Sequence, residues 1–234
     1  MESSLHRDLK LYYASRGGQC EVPVDRYRTD VVCGDQLIEI QQASMVAIRS
    51  KLRDLLSRGH TVVLVKPAIH RKKLVQLSSP GGTVLYQRYS PRRYSWWEVF
   101  AELVYIAPLL AHPGLVLDIV ECDIEEWRCA AGRRRRRPWH RSYRLVDQRL
   151  LAIHTIRRFT SRNDYRAALP VELDEPFDSL ALSRALNIPR WLSQKILYVL
   201  RHTGAILPLV KRRKGWLYQK AAENAARPAC SRSL

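Results

Sequence analysis

Thr29-Asp30-Val31-Val32-Cys33-Gly34-Asp35-Gln36-Leu37-Ile38-Glu39-Ile40-Gln41 alternates apolar and polar residues with period two on either side of a Gly-Asp turn signal. Residues 28–32 and 37–41 are thereby predicted as strands, with Gly34-Asp35 closing a tight antiparallel hairpin. In such a hairpin Ile38 and Ile40 point to one face, and Glu39 and Gln41 to the other. Asp30, on the paired strand, can share the face of Glu39. Carboxylates are depleted in strands, so two on adjacent strands opposite a well-formed apolar face single themselves out from solvent-facing residues of an ordinary hairpin. A pair of this kind can hold Mg²⁺ or Mn²⁺, which takes a few protein oxygens and keeps waters. The ion would polarise a phosphate and help generate hydroxide.

Working outward, Leu5, Leu9, Tyr12 and Tyr13 form a helical stripe that Gly17-Gly18 stops. Cys20-Glu21-Val22-Pro23-Val24-Asp25 predicts a further strand ahead of the hairpin. Beyond the hairpin, Met45, Ile48, Leu52, Leu55 and Leu56 share one helical face, and Gly59 follows as a C-cap. Thr61 to Val65 is an apolar run of strand length, suited to a strand buried on both faces. Residues 68–95 read as basic and loop-rich, residues 96–110 as a helix, and Leu115 to Val120 as a strand. The order is helix, three strands, helix, strand, then a further helix and strand, an α/β arrangement.

Over residues 5–66 this order, its spacing and the Asp30…Glu39-x-Gln41 motif resemble the PD-(D/E)xK nuclease superfamily, the restriction-endonuclease-like fold. The resemblance implies a mixed sheet flanked by helices, with Asp30 and Glu39 as metal ligands. Gln41 would occupy the family's lysine position and place water by hydrogen bonding alone. Glu21, in preference to Glu2, would supply an additional catalytic carboxylate, and Lys66 would be a replacement cation. The string looks most like the competence-associated nuclease-like proteins, which carry a Glu-x-Gln variant.

The net charge of +18 divides unevenly. Residues 1–126 hold 16 Lys/Arg against 15 Asp/Glu, and residues 127–234 hold 24 against 7. The second half therefore carries the footprint of a phosphate-binding surface. Within it, Leu145, Leu150, Ile153 and Ile156 predict a leading helix. Asp178 or Ser179 caps a short helix over 180–186, Asn187-Ile188-Pro189 is a turn, and Arg190 to His202 continues as a second helix. A strand at 205–210, the basic turn Lys211-Arg212-Arg213-Lys214-Gly215 and a strand at 216–218 follow. From Asp178 to Lys220 this resembles the winged helix-turn-helix family. That family presents its second helix to the major groove, which implies contacts to nucleic acid, DNA in the first place, from Arg190, Gln194, Lys195 and Lys211 to Lys214.

The predicted organisation is a nuclease-like domain at 1–126, an Arg-rich linker at 127–144 containing Arg133 to Arg137, a winged helix at 145–222 and a disordered tail at 223–234. Cys20, Cys33, Cys122, Cys129 and Cys230 form no CxxC pair, the seven histidines lack metal-ligand spacing, and Ser78-Ser79-Pro80-Gly81-Gly82 lacks the ending of a phosphate loop. With no apolar run of about 18 residues and a polar N-terminus, a soluble cytoplasmic protein with no membrane contact is expected. The expected function is metal-dependent phosphodiester hydrolysis. The alternative is a non-catalytic DNA-binding regulator with a degenerate nuclease-like domain. The nuclease resemblance also implies a homodimer.

Overall fold

The computed structural model describes residues 2–131, 143–213 and 215–222. Helix α1 (Ser4–Ala14) begins where the Ser3 side chain accepts the His6 N–H, which satisfies an amide the first turn cannot. Strands β1 (Gln19–Val24), β2 (Tyr27–Cys33) and β3 (Gln36–Ile40) form an antiparallel ladder, with Gly34 at φ +59° closing the second hairpin. Helix α2 (Met45–Ser57), capped by Ser44, carries the chain across to β4 (Thr61–Leu77), which lies parallel to β3. Strand β5 (Val84–Tyr89) pairs with the far half of β4. Two 3₁₀ turns, at Trp96–Val99 and Ala107–Leu109, flank the short helix α3 (Phe100–Leu103). Strand β6 (Leu115–Ala130) then runs parallel to β4, and β7 (Tyr143–Phe159) runs antiparallel to β6. The result is a mixed seven-stranded sheet ordered β1-β2-β3-β4-β6-β7, with β5 beside β4.

Helices cover both faces. Leu5, Leu9 and Tyr13 of α1 pack on Val31, Ile38, Ile40, Val63, Val65 and Val120. On the opposite face α2 and the 96–110 segment pack on Leu37, Val62, Leu64, Leu115, Leu117 and Ile119. Val62 to Val65 are fully buried, as the continuous apolar run requires of a central strand.

The C-terminal elements are α4 (Arg162–Ala167), α5 (Ser179–Ala185), α6 (Arg190–His202) and the antiparallel pair β8 (Ile206–Arg212) and β9 (Gly215–Lys220). Asp178 caps α5 by accepting the N–H groups of Leu180 and Ala181. Leu192, Ile196, Val199 and Leu200 of α6 join the same core as Phe100, Leu103 and Ile106, so apolar packing is continuous from the sheet to the C-terminal helices.

Four expectations need correction. Residues 145–156 are not a leading helix: they lie in β7, an edge strand of the large sheet. The boundary at 145 and the 127–144 linker therefore fall differently, because residues 127–130 end β6 and 143–144 begin β7. The Arg133 to Arg137 run, the tail from residue 223 and Lys214 lie outside the described residues. The segment 68–95, expected to be loop-rich, is mostly strand, since β4 continues to Leu77 and β5 follows. The helix expected over 96–110 is broken into short turns, with Pro108 inside the last of them.

Candidate active site

Glu21 and Asp30 drop out of the β1–β2 ladder. Cys20 pairs with Val31 and Val22 with Thr29, while Glu21 takes φ +59° between them. Freed from the ladder, the Asp30 carboxylate accepts the backbone N–H of Ile40 at 2.8 Å and contacts His6 Nε2 at 3.1 Å. This local break turns Asp30 toward α1. A cleft opens there, lined by Glu2, Ser3, His6, Lys10, Glu21, Asp30, Gln41 and Gln42 among others.

Helix α1 furnishes one wall because Glu2, His6 and Lys10 recur at intervals of four, beside the apolar Leu5, Leu9 and Tyr13. Lys10 is only 5% exposed, pairs with Glu2 at 2.6 Å and also contacts Glu21. Burial works against its charge, but the bonds to Glu2 and Glu21 outweigh burial and hold its pKa above the ordinary lysine value. The same bond to Lys10 holds Glu21 below the usual glutamate value. Burial also opposes ionisation of Asp30. Hydrogen bonds from His6 and the Ile40 N–H, with the charges of His6 and Lys51, overcome it and leave Asp30 below the aspartate norm.

The face expected to be shared by Asp30 and Glu39 is not found: Asp30 has turned to α1, while Glu39 keeps the side that alternation gives it, opposite Ile38 and Ile40. Glu39 does not line the cleft with Asp30. It points to the α2 face, is 4% exposed, and meets Lys51 Nζ at 2.5 Å. Glu39 Oε1 is thus held by the Lys51 ion pair rather than facing solvent. Burial raises its pKa, Lys51 offsets part of the rise, and the nearby charge of Asp30 adds to it. The two carboxylates thus sense one another across the β2–β3 edge from opposite sides.

Gln41 lines the cleft, but its amide nitrogen donates to the Ser44 carbonyl at 2.7 Å. Next to it, Gln42 accepts the Ser3 hydroxyl at 2.7 Å, and its own shielded Nε2 has no hydrogen-bond partner among the described residues. Lys66 is not free to enter the cleft. It is buried and donates to the carbonyls of Gln42 and Ala43 and to Glu102. Burial lowers its pKa against the pull of Glu102. Both glutamates weighed from sequence, Glu2 and Glu21, belong to the cleft. Sequence reasoning missed Lys10, His6 and Lys51; for the first two the four-residue repeat with Glu2 was a usable signal.

A second polar surface lies on the C-terminal elements. A groove between α5, α6 and the β8–β9 pair is lined by Asp178, Ser179, Gln194, Leu197 and Trp216, and an adjoining one by Arg212 and Arg213. Arg190 is exposed, with Nε on the Ser179 hydroxyl at 3.2 Å. Lys195 departs from the expected outward orientation: it reaches the Ala101 carbonyl at 3.4 Å and stays part-buried. Lys211 is exposed. Among the described residues no helix is long and apolar enough to cross a membrane.

The chain belongs to the family described as "Domain of unknown function (DUF8091)", whose model matches residues 3–160. That span runs from the cap of α1 to the residue after β7. The chain is also 30% identical, over 222 residues, to a protein of Treponema pallidum (strain Nichols) described as "Uncharacterized protein"; the match covers 94% of this chain and 85% of that relative. No solved structure matches it significantly.

Proposed function

We propose that the chain hydrolyses phosphodiester bonds in nucleic acid, DNA in the first place, at the cleft between α1 and the β1–β2–β3 edge. The observation that carries this reading is the convergence of three carboxylates, Glu2, Glu21 and Asp30, with His6 and Lys10, where two of the acids leave the strand ladder. Oxygen donors of this kind suit a hard divalent cation, Mg²⁺ or Mn²⁺. When bound, such an ion supplies Lewis-acid polarisation of the phosphate and a more acidic water.

The chain's own groups have separable tasks. Asp30 is held ionised and fixed in direction by the Ile40 N–H and His6. Lys10 and Lys51 bring fixed positive charge to either side of Asp30, offsetting the loss of the lysine that the PD-(D/E)xK pattern carries at the position of Gln41. Glu39 acts from behind the ladder, holding Lys51 rather than sharing the cleft. Among the described residues the Gln42 amide nitrogen has no protein partner, whereas that of Gln41 donates to Ser44. We read the sheet and its flanking helices as restriction-endonuclease-like, and α5, α6 and the β8–β9 pair as a winged helix-turn-helix. In that reading Arg190, Gln194, Lys211, Arg212 and Arg213 meet the substrate backbone.

One observation favours a second reading, a non-catalytic DNA-binding regulator: Lys10 and Lys51 already neutralise the acids they touch. Incubating the full chain with plasmid and single-stranded DNA in Mg²⁺ or Mn²⁺, beside Asp30→Ala and Glu21→Ala, separates the two. Metal-dependent cleavage lost in Asp30→Ala is the expected result. Cleavage that persists in both variants overturns the site, and DNA binding without any cleavage favours the regulator.

A further inference from the structure

Strand β6 is flanked by two bulges at one level. On the β4 side Ile69 pairs with Cys122 and Arg71 with Asp123, so His70 is the extra residue. On the β7 side Thr155 pairs with Glu121 and Ile153 with Cys122, so His154 is the extra residue. Bulges are uncommon between parallel strands such as β4 and β6, and they serve to re-aim a side chain. Here both re-aim a histidine at the same carboxylate: Asp123 Oδ1 lies 3.3 Å from His70 Nδ1 and 3.1 Å from His154 Nε2. The three ligand atoms all fall within 4.8 Å of one another, and the rings meet edge to face at 5.6 Å.

We propose that His70, Asp123 and His154 are a transition-metal site, distinct from the carboxylate cleft and occupied by a borderline divalent ion of the Zn²⁺ class. Bonds of about 2.0–2.1 Å to a tetrahedral ion place neighbouring ligand atoms about 3.3–3.4 Å apart, close to both distances from Asp123 Oδ1. Two imidazoles and one carboxylate select Zn²⁺, Co²⁺ or Fe²⁺ over Mg²⁺ and Ca²⁺, unlike the oxygen-rich cleft. Three protein ligands leave a position for water. The exposure of His70 and His154, 40% and 45%, opens that position to solvent, whereas Asp123 is 19% exposed. The histidines carry no short-range motif, because strand pairing alone brings together residues 53 apart in the chain and further.

The test uses the full, tag-free chain titrated with Zn²⁺ by calorimetry and with Co²⁺ by visible absorption. One ion per chain is expected, with the visible band of a nitrogen- and oxygen-ligated Co²⁺. His154→Ala and Asp123→Asn should each weaken binding by on the order of 100-fold or more, since losing even a supporting outer contact costs 10–100-fold. His154 lies on an exposed edge strand, so its replacement leaves a folded reference. Asp30→Asn should abolish cleavage and keep the Zn²⁺ affinity, so failure of the cleft and failure of this site give different results. Absent stoichiometric binding, affinity unchanged in both ligand variants, or Zn²⁺ lost in Asp30→Asn overturns the proposal.

Discussion

Replacing Arg158 by Met probes the attachment of α1, and hence of one wall of the cleft, to the sheet. Asp118 is fully buried in β6, and its carboxylate accepts three bonds: Arg158 Nε at 2.8 Å, Arg158 Nη2 at 2.7 Å and the Tyr13 hydroxyl at 2.9 Å. Arg158 faces Asp118 across the β6–β7 ladder and Tyr13 comes from α1, so one carboxylate joins three elements. Removing the guanidinium leaves a buried charge with a single neutral donor. Breaking a buried pair from one side costs about 3–5 kcal/mol. The Arg158 side chain is 44% exposed, so water can reach part of the vacated space, and a discounted cost of about 2–3 kcal/mol follows. At about 2–4 °C per kcal/mol for a chain of this size, Tm should fall by about 4–12 °C. Thermal melting followed by circular dichroism reads the shift. The Arg158→Met, Asp118→Asn double variant should recover part of the loss, because it removes the stranded charge. A Tm for Arg158→Met within a degree of the parent, or a double variant less stable than the sum of the singles, would refute the account.

Lys10 supplies a pH-dependent counterpart. Its folded pKa is raised, so its contribution is present below the unfolded lysine value and fades as pH rises through the folded one; that of Glu21 is depressed, so its contribution is present above the unfolded glutamate value and fades as pH falls. Lys10→Met should therefore lower Tm most between about pH 5 and pH 9 and converge with the parent in acid, which melting curves across that range would show. Arg212→Ala with Arg213→Ala should weaken DNA binding on every sequence and reduce the slope of log affinity against log salt by about two. An unchanged slope in fluorescence anisotropy would remove the hairpin from the interface.

The hairpin at Thr29 to Gln41 was legible because period two, the glycine turn and the apolar face agree, and α1 and α2 because each carries an apolar stripe that a following glycine ends. Strand β7 was not. Its spacing of Leu145, Leu150, Ile153 and Ile156 mimics a helix because three residues, Val146, Leu151 and His154, are inserted at bulges. With those removed, the four apolar residues fall on one face of the strand, which Gln148 shares, and Leu150, Ile153 and Ile156 pack on the α1 side of the core. Asp30 was misplaced relative to Glu39 for a related reason: strict alternation assigns both to one face, but the break at Glu21 turns Asp30 away. Lys51 gave no local sign, since its partner lies on another element.

Strand β7 also ends the sheet, and an end strand 17 residues long offers unpaired amides and carbonyls to any passing strand. Helix α1 blunts that offer. Asp8 accepts the Leu150 N–H at 3.3 Å, and Asp147 accepts the backbone N–H and hydroxyl of Ser4 at 2.9 and 2.7 Å. The three bulges interrupt the remaining ladder, and Arg144, Arg149 and Arg157 add like charge along it. The helix that forms a wall of the cleft therefore also guards the chain against edge-to-edge aggregation, and variants that loosen α1 carry a solubility cost separate from any change in activity.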